Sequence, residues 1–232
     1  MPSYESYSKN YLFILGGHLA DMMIISLLWL VFSLPVVTLG ASTAALYYAT
    51  TKHFNDSSGK PFGDFIHSFK QNLKQGILLT LIYLVYGGLL AFDIYVARNG
   101  FRGITLPSIY EQVAYVLTLP VIFTLPYVFA YLSRFNNTIK ETLKHCFFFC
   151  ATHILHTLII LMLVIASGAA MVLFFPCVLV VPALCAYLCS HYIEKDFRQA
   201  LDIRSSHSIV SEGEPSTETP HIEESTSERV DE

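Results

Sequence analysis

Charged side chains are scarce: Asp, Glu, Lys and Arg make up 14% of the 232 residues, against about 25% in an ordinary soluble domain. With 53% of the chain hydrophobic, that scarcity excludes a soluble globular enzyme. Cysteine is sparse too, and poorly placed for a secreted scaffold. The five cysteines are odd in number and lie inside apolar stretches, so no even, spaced disulfide framework is present, and we read them as free thiols. No P-loop, G-x-S-x-G, H-E-x-x-H or G-x-G-x-x-G occurs, which removes the usual nucleotide and hydrolase signatures. We expect no enzyme and assign no cofactor. The bases are scattered rather than interleaved with aromatics, so nucleic acid is not an expected partner.

What is present is a set of long runs without charge. A bilayer core about 30 Å thick needs about 20 apolar helical residues, because each backbone amide must be satisfied within its own segment. Met22 to Leu39 is the first run, with Trp29 near its centre. The second starts at Ile77, and the third runs from Val113 to Leu132, where Pro120 and Pro126 each remove a helix hydrogen bond. Between Lys144 and Glu194 lie 49 residues without Asp, Glu, Lys or Arg, about 73 Å of helix, which is too long for one span and enough for a hairpin. The turn is placed at Phe174 to Cys177, where Pro176 suits the first turn of a new helix. The expected fold class is all-α, a polytopic membrane bundle. Its spans fall near 19–39, 77–97, 113–132, 152–173 and 176–192, within a transmembrane domain of residues 1–204.

Charge sets the expected orientation. The segment 205–232 carries eight acids and one base, a net −7, so the other 204 residues carry +3 of the total −4. Eleven Lys and Arg fall on one face under five spans and three on the other, which predicts the N-terminus outside and the C-terminus in the cytoplasm of a multi-pass protein of the cell membrane. Residues 61–75 place Phe62, Phe65, Ile66, Phe69 and Leu73 at helical spacing, an amphipathic helix. It either lies in the cytoplasmic interface or packs its phenylalanines on the bundle. The acidic, Ser/Thr-rich stretch 205–232 reads as a disordered cytoplasmic tail.

The string LLWLVFSLPVVTLGASTAALYY at 27–48, followed by GDFIHSFKQNLKQG at 63–76, resembles the YesL-like family of small bacterial integral membrane proteins. The residues that carry the resemblance include Trp29, Pro35, Thr38, Gly40, Ala41 and Thr43, then Lys70, Gln71 and Asn72. Asp21 and the P-A-L-x-A-Y string at Pro182 to Tyr187 fit as well. The resemblance covers about residues 18–195 and implies a domain of unknown function associated with carbohydrate uptake and utilisation. It brings no catalytic residues. What it implies is an accessory or regulatory role beside a carbohydrate ABC transporter permease or a membrane sensor, within the lipid bilayer. The competing reading is a small solute or ion transporter or channel acting by itself.

Two constellations could carry chemistry. Asp21 and Asp93, with Arg98 nearby, are ionisable groups at membrane depth and so candidates for a shared polar pocket. The plainer alternatives are that Asp21 caps a helix and that Asp93 reaches the interface or pairs with Arg98. The second constellation gathers His145, Cys146, Cys150, His153 and His156 at the start of span four and Cys185, Cys189 and His191 at the end of span five. Thiolates and imidazoles at this spacing suit zinc or copper(I). No C-x-x-C pair accompanies them, so no metal is assigned, and Cys146, Cys150, His153, Cys189 and His191 stand as low-ranking ligand candidates. Tyr83, Tyr86, Tyr110, Tyr115, Tyr127 and Tyr131 read as interfacial anchors or bundle core rather than a sugar-stacking box.

Overall fold

The computed structural model describes residues 4–55, 60–99, 108–135 and 137–212. Among these, all regular structure is helical: α1 (Tyr4–Ser33), α2 (Leu39–Asn55), α3 (Pro61–Asn99), α4 (Ser108–Arg134), α5 (Ile139–Thr152), α6 (Ile154–Leu173) and α7 (Val181–Glu212). Short 3-10 turns precede α2 and α7. The expected all-α membrane bundle is thus what forms. The chain divides into two units, Met1–Asp196 and Phe197–Glu232. The second holds the C-terminal part of α7.

Among the described residues, four helices are long and apolar enough to cross a bilayer: Gly16–Ser33, Pro61–Asn99, Ile109–Arg134 and Ile154–Leu173. Only 11% of the α6 segment is buried inside the protein, and Leu155, Met162, Ile165 and Val172 stand open on it. A surface of this size and apolarity is compatible with lipid rather than water around it. The fifth foreseen span, 176–192, is not one of the four. Pro176 and Pro182 break that stretch into the 3-10 turn Phe175–Leu179 and the start of α7. The turn itself lies where the sequence places it, since α6 stops at Leu173. Beyond Tyr192 the helix continues to Glu212, so residues 205–212, expected to open the disordered tail, extend α7. The remainder of that tail lies outside the described residues.

Pro35 ends α1 as expected, and the chain then folds back. The Thr38 hydroxyl donates to Phe32 O at 2.7 Å and Pro35 O at 2.8 Å, closing carbonyls that a helix end leaves open. Trp29 Nε1 reaches Thr43 Oγ1 at 3.3 Å, and the Ser33 and Ser42 hydroxyls are 2.7 Å apart. These contacts lock α2 antiparallel to α1. Neither the length nor the burial of α2 was expected. Ala41, Ala44, Ala45 and Ala49 are all fully buried, because residues this small let neighbouring backbones approach closely. The amphipathic stretch 61–75 is the first half of the single long helix α3. Its Phe65 and Phe69 pack in one apolar cluster with Met22 and Ile25 of α1 and Ala41 and Ala45 of α2. Protein therefore covers that face.

The fold-back also corrects the expected topology. His53 Nε2 of α2 lies 3.3 Å from Asp21 Oδ2 of α1, and Lys52 Nζ lies 2.6 Å from Asp64 Oδ1 of α3. One end of the α1–α2–α3 group therefore carries Asp21, Lys52, His53 and Asp64 together. The five-span reading puts Asp21 outside and the whole of 40–76 inside, which these contacts do not permit. The physical cause is α2, which carries the chain back along α1 instead of leaving it in a cytoplasmic loop.

Candidate functional site

Of the motif residues that carry the sequence resemblance, Gly40, Ala41 and Asn72 are buried packing residues. Gly40 N–H donates to Thr80 Oγ1 at 3.0 Å, and the Thr80 hydroxyl donates to Gly76 O at 2.7 Å. A Cβ on Gly76 would stand 2.7 Å from Ala41 Cα, so only glycine admits this crossing of α2 and α3. Asn72 is buried, and its amide donates to Ser68 O at 3.0 Å. Lys70 and Gln71 lie on the exposed face.

The structure does not bring Asp21, Asp93 and Arg98 into one pocket. Asp21 is mid-helix in α1, too far inside to cap it, and faces His53, whose Nε2 also lies 3.3 Å from His18 Nδ1. Asp93 accepts from Tyr110 OH at 3.4 Å, not from Arg98. Arg98 Nε instead donates to Glu111 Oε1 at 3.0 Å and its side chain lies against the Tyr115 ring, tying the end of α3 to the start of α4. Glu111 is the partner that sequence reasoning missed. Near the C-terminal end of α2, the Asp64 carboxylate holds the Lys52 ammonium above its ordinary pKa, mainly through their hydrogen bond.

A second polar centre forms where α4, α6 and α7 meet. Asp196 is fully buried. Its Oδ1 lies 2.6 Å from His156 Nδ1 and 3.7 Å from His153 Nδ1. Its Oδ2 accepts from Tyr127 OH at 3.2 Å, and Thr157 Oγ1 donates in turn to Tyr127 OH at 3.3 Å. Tyr127 and Thr157 are themselves fully buried. A carboxylate taken from water costs free energy unless paired and hydrogen-bonded, and both oxygens here have partners. Beside it, Arg134 of α4 and Glu194 of α7 form an ion pair.

Local sequence builds this centre. His153 joins α5 to α6 with φ −117° and ψ 53°, and His156 follows three residues later, so both imidazoles fall on one side of the helix start. The two rings are parallel to within 8°, with centroids 5.8 Å apart. Asp196 belongs to the inward stripe Cys189, Ile193, Asp196 on α7. That 4-then-3 spacing was the available signal, lying among the charged Glu194, Lys195 and Arg198.

Of the constellation of possible metal ligands, His153 and His156 join this group. Among the described residues, the histidines, cysteines and carboxylates that come within ligand reach of one another as a set of three are His153, His156 and Asp196. Cys189 Sγ lies 3.9 Å from Cys185 Sγ on the same helix. Cys146 and Cys150 are buried on α5 as small apolar residues, and His191 contacts the Tyr192 ring. Thiols therefore do not build a centre with the imidazoles.

An apolar groove of about 450 Å³ opens between α3, α4 and α5, lined by Tyr83, Tyr86, Pro120, Val121, Leu143 and Phe147 among others. The Tyr83 and Thr124 hydroxyls, 2.9 Å apart, close its inner wall.

Residues 22–94 match the model of a family described as DUF624, a protein of unknown function. No curated protein matches the chain. No solved structure matches it. The matched stretch begins within α1 and holds α2 and most of α3, the group closed by the Gly40–Gly76 crossing.

Proposed function

We propose that this membrane protein is a non-enzymatic accessory or regulatory component that binds another integral membrane protein side by side in the bilayer. The groove between α3, α4 and α5 carries the reading. It is lined by apolar and aromatic side chains of the membrane-crossing α3 and α4 and of the shorter α5, with Lys144 at its rim. The resemblance of residues 27–48 and 63–76 to the YesL-like family supplies the partner class, a permease or sensor of carbohydrate uptake. That step is an inference from likeness, not from the site. Arg134, Lys140, Lys144, Lys195 and Arg198 favour the C-terminus in the cytoplasm of the cell membrane.

The test is affinity isolation of the full chain from native membranes, paired with proteoliposome flux. Co-isolation with a carbohydrate permease, lost when Val121→Trp fills the groove, and no sugar or ion flux by the purified protein is the expected result. Flux by the protein alone overturns the reading. A second reading, a carrier acting by itself, is favoured by one observation: a buried carboxylate paired with an imidazole, Asp196 with His156, is the kind of ionisable centre that carriers use.

A further inference from the structure

The Asp196 centre has more donors converging on it than an ion pair requires. One imidazole is enough to partner one carboxylate oxygen, and His156 lies 2.6 Å from Oδ1. Yet a second imidazole, His153, also directs Nδ1 at the same oxygen from 3.7 Å, outside hydrogen-bond range. All three ligand atoms lie within 4.8 Å of one another. Donor atoms bonded at about 2.0–2.1 Å in a tetrahedral arrangement stand about 3.4 Å apart, so changes in separation of up to about 1.4 Å would let the set surround an ion. The carboxylate is also divided between two tasks. Oδ1 faces the imidazoles, while Oδ2 is held by Tyr127, itself backed by Thr157. Outer hydrogen bonds of this kind orient metal ligands. Access comes from the histidine side: the His153 and His156 side chains are 24% and 25% exposed while Asp196 is 0%.

We propose that His153, His156 and Asp196 bind a divalent transition metal ion of the zinc class, with Tyr127 as the positioning residue for the carboxylate. Two neutral imidazoles and one carboxylate form the borderline nitrogen and oxygen set that zinc accepts. Three protein ligands leave at least one position for water or a ligand from outside. Binding displaces the proton shared by His156 and Asp196. The inference stands apart from the accessory role, since a site of this kind fits a partner-bound protein or a lone one.

The experiment uses the full chain, purified in detergent without a polyhistidine tag and shown to be monodisperse. It is titrated with Co²⁺, with zinc content measured in parallel. One equivalent of Co²⁺ with visible d–d bands typical of nitrogen and oxygen ligation, displaced by Zn²⁺, is expected. His153→Ala and His156→Ala each abolish stoichiometric uptake, Tyr127→Phe weakens it about tenfold, and His191→Ala leaves it unchanged. Monodisperse wild-type protein that takes up neither metal overturns the proposal, whether or not the variants fold. So does uptake by the His153→Ala/His156→Ala double variant at the wild-type level. A thiolate-to-cobalt charge-transfer band would place the ion on cysteines and equally end it.

Discussion

Gly40 and Thr80 meet across the α2–α3 crossing, the Gly40 N–H donating to the Thr80 hydroxyl at 3.0 Å. A Cβ at Gly40 would stand 2.3 Å from Thr80 Oγ1, 2.5 Å from Phe129 Cε1 and 2.8 Å from Gly76 O. Three helices, α2, α3 and α4, therefore touch at a point sized for a hydrogen atom. Gly40→Ala and Gly76→Ala are expected to destabilise the protein by about 1–3 kcal/mol each, the usual cost of overpacking. Gly88→Ala, whose added Cβ meets nothing within 4 Å, serves as the control. Thermal unfolding in detergent should lower the midpoint for the first two and leave the third unchanged or slightly raised.

Removing one member of the Asp196 pair strands the other. His156→Ala leaves a fully buried carboxylate with Tyr127 as its remaining close hydrogen-bond partner, and losses on breaking buried pairs run to about 3–5 kcal/mol. Tyr127→Phe deletes one neutral donor and is expected to cost about 1–3 kcal/mol. Denaturant titration of both variants should preserve that order. Equal losses would show that Asp196 does not depend on His156.

The pH response of α5 follows from Glu141. Its carboxylate accepts the Thr138 backbone N–H at 3.2 Å, the N-terminal arrangement in which a third-position Glu returns to the cap. Hydrogen bonding to Thr138 holds its pKa below the ordinary value of 4.5. A carboxyl whose folded pKa is lowered stabilises the fold above its unfolded value and loses that contribution as pH falls through the folded one. Thermal midpoints of wild type and Glu141→Gln should therefore converge as the pH falls below 4.5, the wild type being the more stable at neutral pH. A gap that persists unchanged into acid would contradict this account.

Lys144 is exposed on α5 at the rim of the groove. With the C-terminus in the cytoplasm, Lys144→Cys in a background whose five native cysteines are replaced by serine or alanine should react with a membrane-impermeant maleimide only after the cells are opened. Labelling in intact cells would reverse the assigned orientation.

Filling the groove separates partner binding from folding. Val121→Trp should leave the thermal midpoint within about 1 °C to 2 °C of wild type, since a groove-facing change adds no buried strain, while it removes partner co-isolation. A fall in both would show that Val121 supports the bundle rather than a contact.

The helical class and the membrane location were legible because they follow from local properties. Charge-free runs of span length, Pro35 as a stop for α1, and Pro176 at the turn after Leu173 are each set by a few neighbouring residues. The small residues at 40–45 were legible as a contact surface, but not what they contact. Alanine and glycine announce close approach without naming the neighbour, and Gly76 and Thr80 stand some 35 to 40 positions away in sequence. Likewise His153 and His156 could be seen as ligand types, whereas Asp196 looked like one of several charges following a span.

From composition, run length and prolines alone, the chain commits to lipid-embedded helices, because backbone amides in hydrocarbon leave no other choice. Which helices pair is decided only in three dimensions. The return of α2 along α1 puts His53 beside Asp21 and parts Asp21 from Asp93. The approach of α4, α6 and α7 gathers Tyr127, His153, His156 and Asp196 from positions up to 69 residues apart. Pairings of that kind depend on the shapes of packed surfaces, and no local pattern of residues encodes them.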